Sequence, residues 1–154
     1  MVERLTVVVP GPPGWKGRAR FSRQGFAYTD AKTRNYEALL RDYAQEAMDG
    51  GPLMEGPVRV EVEALFPIPE SWSKAKKRRA AEGGEFPGRP DVDNILKVID
   101  ALNGIVWKDD RQVVSAWAGK FFTAGAPHLR VKVFRLQSDH LLPDHLLRSK
   151  EPAP

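Results

Sequence analysis

From Val58 to Phe66 the chain sets Val58, Val60, Val62, Ala64 and Phe66 in alternation with Arg59, Glu61 and Glu63. A period of two places the apolar set on one face of a β-strand and the charges on the other. Such a strand is stable only in a sheet with one face covered, so the chain must supply more strands and apolar elements to lay against them. Pro67 and Pro69 close the stretch, because proline has no N–H to give a ladder.

The remaining elements follow from period and punctuation. Leu5, Val7 and Val9 make a first strand stopped by Pro10 and the Gly11 to Gly14 breaker, and a glycine-dotted basic loop runs on to Gly25. Thr29 or Asp30 caps a helix whose apolar positions Tyr36, Leu39, Leu40, Tyr43, Ala44 and Ala47 keep i, i+3, i+4, i+7 spacing as far as Gly50 and Gly51. Ser71 or Ser73 caps a short basic helix reaching Gly83. A third helix is expected from Val92 to Leu102, with Val92, Ile95, Leu96, Ile99 and Leu102 inward and Asn103-Gly104 as a left-handed stop. Strands over residues 112–122 and 129–136 follow, separated by a loop of hairpin length. The order βαβααββ lacks strict βα alternation and predicts an α+β fold: a single domain with one mixed, partly antiparallel sheet and helices packed on it. The domain is expected over residues 1–137. In the tail, residues 138–154, Leu141, Leu142, Leu146 and Leu147 either dock a turn of helix or fray.

A chain of 154 residues, 42% of them hydrophobic, can bury one real core and is too short for two. It has no cysteine, which excludes disulfides and thiolate metal sites. No run approaches the ~18 apolar residues of a membrane span, and Pro10 interrupts the first apolar run before it reaches signal-peptide length. A soluble cytoplasmic protein without a membrane partner is expected.

The net charge of +4 says little, but its distribution says more. Lys16, Arg18, Arg20, Arg23, Lys32 and Arg34 stand against the single acid Asp30 and are interleaved with Phe21, Phe26 and Tyr28. A second basic cluster, Lys74, Lys76, Lys77, Arg78 and Arg79, follows Trp72, while acids gather at Asp91, Asp93, Asp100, Asp109 and Asp110. Basic segments around an acidic focus suit a protein that holds a polyanion over metal ions.

Asp93, Lys97 and Asp100 stand at i, i+4 and i+7, on one polar stripe of the third helix, with Asp91 at its entrance. Asp109 and Asp110 open the next strand, from which a carboxylate can reach back. Crowded carboxylates repel, and hard divalent cations relieve that cost through oxygen ligands. Each acid also has an ordinary reading on its own: Asp91 as an N-cap, Asp93 with Lys97 as a surface pair, Asp109 and Asp110 as a turn. An EF-hand starting at Asp91 fails, since Leu96 and Leu102 occupy the places of its glycine and glutamate. There is no P-loop, no Gly-x-Ser-x-Gly elbow, and His128, His140 and His145 keep no metal-ligand spacing to the aspartates.

The run Arg89-Pro90-Asp91-Val92-Asp93-Asn94-Ile95-Leu96-Lys97, then Asp100 to Gly104, then Trp107-Lys108-Asp109-Asp110-Arg111-Gln112-Val113, closely resembles the RusA family of Holliday junction resolvases. The resemblance covers about Leu5 to Leu136 and includes the proline-glycine start, the aromatic-basic loop and the segment Ser71 to Arg78. It implies that Asp91, Asp93 and Asp110 bind Mg²⁺, with Mn²⁺ as a substitute, that Lys97 is the essential nearby lysine, and that Asp100, Asp109 and Asn94 support them. It implies a homodimer that nicks paired strands of a four-way DNA junction in recombination and repair, with no organic cofactor, in the cytoplasm of a bacterial cell or phage-infected host. Pro90 departs from the family, some members of which carry a basic residue there; Arg89 is the substitute contact. Arg18, Arg20, Arg23, Lys32, Arg34 and Lys76 are the other DNA-binding candidates, since phosphates dominate such affinity. Phe21 and Phe26 either pack in the loop or stack on opened bases. The readings from other classes are a non-catalytic DNA-binding module and a metal-dependent nuclease of flap or single-stranded DNA.

Overall fold

The computed structural model describes residues 3–17, 20–28, 30–137 and 141–147. Its centre is β4 (Val58–Pro67), paired antiparallel to β6 (His128–Arg135) on one side and parallel to β5 (Val113–Thr123) on the other. β1 (Arg4–Pro10) completes the sheet by antiparallel pairing with β6, giving the order β1-β6-β4-β5. This is the expected α+β domain with one mixed sheet. Register aligns the apolar rows across it: Val7 faces Val131, which faces Val62, and Val9 faces Leu129, which faces Ala64. All six are fully buried.

The expected hairpin between the last two strands does not form, because β4 lies between them. The loop after Thr123 instead passes the end of β4, where Pro67 pairs with Thr123 and Leu65 with His128. A short hairpin, β2 (Arg20–Phe21) with β3 (Ala27–Tyr28), forms within the basic loop, where a loop alone is expected from the sequence. It is closed by Ser22 and Phe26 and by Gly25 at φ +84°.

α1 (Ala31–Met48) begins at Asp30, whose carboxylate accepts the Thr33 N–H at 2.8 Å. Its buried positions are Thr33, Leu40, Ala44 and Met48, with Tyr36 and Tyr43 partly buried; Leu39 and Ala47 face outward. The buried stripe is therefore narrower than the apolar pattern suggested. Tyr36 is held by backbone: a Cβ on Gly14 would lie 2.2 Å from its ring, so only glycine lets the loop approach so closely. The Tyr36 hydroxyl is buried and, among the described residues, makes no well-aligned hydrogen bond; burial pushes its pKa up to about 12, against a weaker interaction with the Gly14 backbone.

α2 (Lys74–Ala81) is capped by Ser73. α3 (Val92–Leu96) is shorter than expected, since the chain tightens into a 3₁₀ segment from Lys97 to Leu102. In that tighter coil residues three apart eclipse, which is why Val98 and Ala101 join Ile95, Ile99 and Leu102 in the core while Val92 stays exposed. Gly104, at φ +79°, then turns the chain toward buried Trp107. A last turn, α4 (Asp144–Leu147), leaves Leu141, Leu142 and Leu146 exposed rather than docked. His140 and the rest of the tail lie outside the described residues. Among the described residues no helix is long and apolar enough to cross a membrane.

Replacing Leu40, fully buried, by alanine is expected to cost about 2–5 kcal/mol in urea unfolding, and Leu39→Ala under about 0.5 kcal/mol. Equal costs would place the core face of α1 elsewhere.

Candidate active site

The crossing from β4 to β5 carries all five clustered aspartates. Asp91 is the residue before α3; its backbone oxygen accepts from Asn94 and Ile95, while its exposed carboxylate makes no capping hydrogen bond. Asp93 sits in the first turn, where Lys97 Nζ donates to Oδ2 at 3.4 Å and reaches Asn94 Oδ1 at 3.4 Å. Both partners of this i, i+4 pair are more than half exposed, so its effect on stability is well under about 1 kcal/mol. A charge pair that contributes so little to folding is available for chemistry.

Two lysines fix the entrance of α3. Lys120 projects from the inner face of β5, opposite Ala64, and donates to the Pro90 carbonyl at 2.9 Å. Lys16 donates its backbone N–H to the Asn94 carbonyl and its ammonium to Asp100 at 3.3 Å, with Glu37 at 3.6 Å. Asp100 is thereby held toward Lys16. Neither lysine stood out by motif. The available signal was Lys120 itself, a charge in the inward row that also holds Ala118 and Phe122.

At the far end of the crossing Asp109 and Asp110 divide their work. The Asp109 carboxylate caps a 3₁₀ turn, Asp110–Gln112, by accepting the Arg111 N–H, and pairs with the Arg111 guanidinium at 2.9 Å. The Arg111 hydrogen bond, with its backbone N–H and charge, holds the Asp109 pKa down at about 2. Gln112 ties the turn down, accepting from Lys108 and Asp109 and donating to the carbonyls of Met54 and Gly56. Asp110 Oδ1 accepts the indole N–H of buried Trp107 at 3.3 Å, and the carboxylate is otherwise exposed. Asp109 is thus structural, and Asp110 is the acid left available.

Strand register sets the distance between the two ends. Asp110 precedes Val113, whereas Pro90 is held by Lys120, seven residues further along β5. At ~3.3 Å per residue that is roughly 20 Å of strand. Asp91 and Asp93 lie at one end of β5 and Asp110 at the other. Accordingly, no group of three Asp, Glu or His among the described residues is close enough to hold a metal ion. The pair Asp91 and Asp93 still suits Mg²⁺ chemically: all its donors are carboxylate oxygens, and that ion commonly takes one or two carboxylates and completes its shell with water and phosphate oxygens.

Of the residues expected at DNA, Arg18 and the side chain of Arg20 lie outside the described parts. Arg23, Lys32, Arg34 and Arg89 are exposed and Lys76 is half-buried. Lys32 lies over the Trp15 ring at 5.2 Å and Lys76 over Trp72 at 3.9 Å. Phe21 and Phe26, 71% and 73% exposed on the β2–β3 hairpin, do not pack in the loop, nor does Tyr28.

A family model described as endodeoxyribonuclease RusA matches residues 10–134. The chain is also 37% identical over 126 residues to the uncharacterized protein YqaN of Bacillus subtilis (strain 168), covering 77% of this chain and 88% of that one.

Because the folded-state pKa of Asp109 lies below its ordinary 3.8, the capped turn contributes stability that is fully present above about pH 4 and is lost as the pH falls toward 2. Asp109→Asn is therefore expected to flatten the acid limb of the stability profile between those values, measured by thermal unfolding. An unchanged limb would remove Asp109 as its source.

Proposed function

This chain belongs to the RusA endodeoxyribonuclease family, and on that premise we propose that it is a Mg²⁺-dependent endonuclease resolving four-way DNA junctions by paired nicks, in recombination and repair. The observation that carries this reading is the exposed carboxylate pair Asp91 and Asp93 with the Lys97 ammonium one turn away, flanked by exposed Arg89. Asp91 and Asp93 would hold the ion, which when bound supplies Lewis acidity at a phosphate oxygen and a more acidic water. Lys97 is placed to stabilise negative charge growing on the scissile phosphate. Arg89 contacts a neighbouring phosphate, a contribution that weakens with salt. Lys120, through the Pro90 carbonyl, keeps the entrance of α3 aligned with the sheet. Mn²⁺ has the same ligand preference and would substitute. The setting is the cytoplasm of a bacterial cell or infected host, where such junctions arise.

The separation of Asp110 from the other two acids supports a homodimer. β5 is an edge strand, and Trp117 and Phe121, 49% and 45% exposed, stack across Gly119 on its outer face. A second chain running antiparallel along this edge about a two-fold axis would bring its Asp110 to the first chain's Asp91 and Asp93, once at each end. Two complete sites then face two strands.

With a labelled synthetic junction and Mg²⁺, symmetric nicks are expected, and Asp93→Asn should lose at least about a hundredfold in rate while still binding the junction. Faster cutting of a flap or single strand, or undiminished cutting by the variant, overturns the reading. Asp93→Asn and Asp110→Asn chains, each inactive alone, are expected to restore about a quarter of wild-type nicking when refolded together, since half the dimers are mixed and each mixed dimer has one whole site. No restoration would place Asp110 in its own chain's site.

A further inference from the structure

A cleft of about 1120 Å³ opens beside Arg89, walled by Trp15, Tyr36, Phe66, Trp72 and Phe122. It lies at the same end of β5 as Asp91, since Phe122 and Pro67 close it and Gly88 and Arg89 form its rim. Nothing in the proposed phosphodiester chemistry uses it. Its volume exceeds what a drug-sized ligand needs, so there is room for more than one nucleotide.

The chemistry of the walls is specific. Each of the two tryptophans carries a lysine ammonium over its ring, Lys32 on Trp15 and Lys76 on Trp72. Both lysines have long flexible stems, and an ammonium resting on an aromatic face is held by about 1 kcal/mol or less at an exposed site. A ligand with a flat π-system and an attached anion would satisfy both partners better: the ring takes the aromatic face, and the displaced ammonium takes the anion. A nucleotide is such a ligand, with base for indole and phosphate for ammonium. Arg89 adds a third cation on the side facing the carboxylates. Among the lining residues Asp30 is an acid, but its carboxylate caps α1; an apolar peptide would fill the walls and offer no anion to Lys32 and Arg89 in the lining or to Lys76 beside Trp72.

We propose that this cleft binds unpaired nucleotides of the DNA strand that runs past Asp91 and Asp93, with bases stacked on Trp15 and Trp72 and phosphates on Lys32, Lys76 and Arg89. The proposal deepens the junction-nuclease reading and rests on it for the identity of the strand. It gives the protein a means of sensing bases that are free to leave the stack near the cut.

The test needs no cleavage. Tryptophan emission of the full chain is followed in EDTA during titration with a pentathymidylate and with a five-phosphate abasic strand. The pentathymidylate is expected to quench emission and to bind about tenfold more tightly than the abasic strand. Trp72→Leu, which keeps apolar bulk but removes the π-face, should shrink that preference to under about threefold with unchanged abasic affinity, and Trp72→Phe should retain most of it. Circular dichroism and melting temperature within a few degrees of wild type show that the variants fold; should Trp72→Leu not fold, the Trp72→Phe and Lys76→Ala chains carry the test, the latter expected to lose affinity for both strands. Equal wild-type binding of both strands, full preference in Trp72→Leu, or quenching by a proline-rich peptide in place of the oligonucleotide overturns the proposal. A chain that prefers bases but leaves junctions uncut sinks the catalytic reading alone, and one that nicks junctions without base preference sinks only the cleft.

Discussion

The parallel pairing of β4 with β5 is the constraint from which the rest of the arrangement follows. Antiparallel neighbours can be joined by a tight turn, but parallel ones need a crossover that carries the chain back to the starting end. Here the crossover contains α2, α3 and the two 3₁₀ segments. It packs on the inner face, where Ile95, Val98 and Leu102 meet the buried rows of the sheet. Every clustered aspartate rides on it, and the direction of travel separates them: Asp91 is near the C-terminal end of β5 and Asp110 before its N-terminal end.

How much of this was legible depends on whether a property is local. The alternation in β1 and β4 and the capped periodicity of α1 are local, and the structure bears them out within a residue or two. Pairing is not local. The loop of residues 124–127 has hairpin length whether its strands pair or straddle a third, and nothing in Thr123 to Pro127 records that β4 intervenes. The turn from α-helix to 3₁₀ at Lys97 was hidden for a related reason. Ile95, Ile99 and Leu102 suit a 3.6-residue period, while Ile95, Val98 and Ala101 suit a period of three, and only burial decides between them.

The acids were legible as a motif, but their roles were sorted by contacts the motif does not contain. Asp109 and Asp110 are adjacent and chemically identical; Arg111 and the capping of a single turn occupy the first, while only the indole of Trp107 touches the second. Asp100 shares a helical stripe with Asp93 in projection, yet Lys16, far away in sequence, holds it. The charge of Lys120 in an inward row was a signal, but its role was not legible, because it depends on which strand lies under α3.

Two exposed aromatic surfaces remain, and their chemistry differs. On the β2–β3 hairpin Phe21 and Phe26 stand beside Arg23, an apolar tip with a cation, which suits a polyanion whose bases can be reached. On the β5 edge, Trp117 and Phe121 close over Gly119, where a Cβ would come within 2.7 Å of both rings, and among the described residues no strand pairs with the outer side of β5. Exposed edges with apolar side chains invite pairing unless charge or proline protects them. Outward-facing Ser115, Trp117, Gly119 and Phe121 carry no charge, and the one lysine of β5 points inward to Pro90. A second copy along this edge is the cover proposed above, and in that proposal it would bring an Asp110 to each carboxylate pair. On that proposal, the same strand that separates the acids within one chain would join them between two.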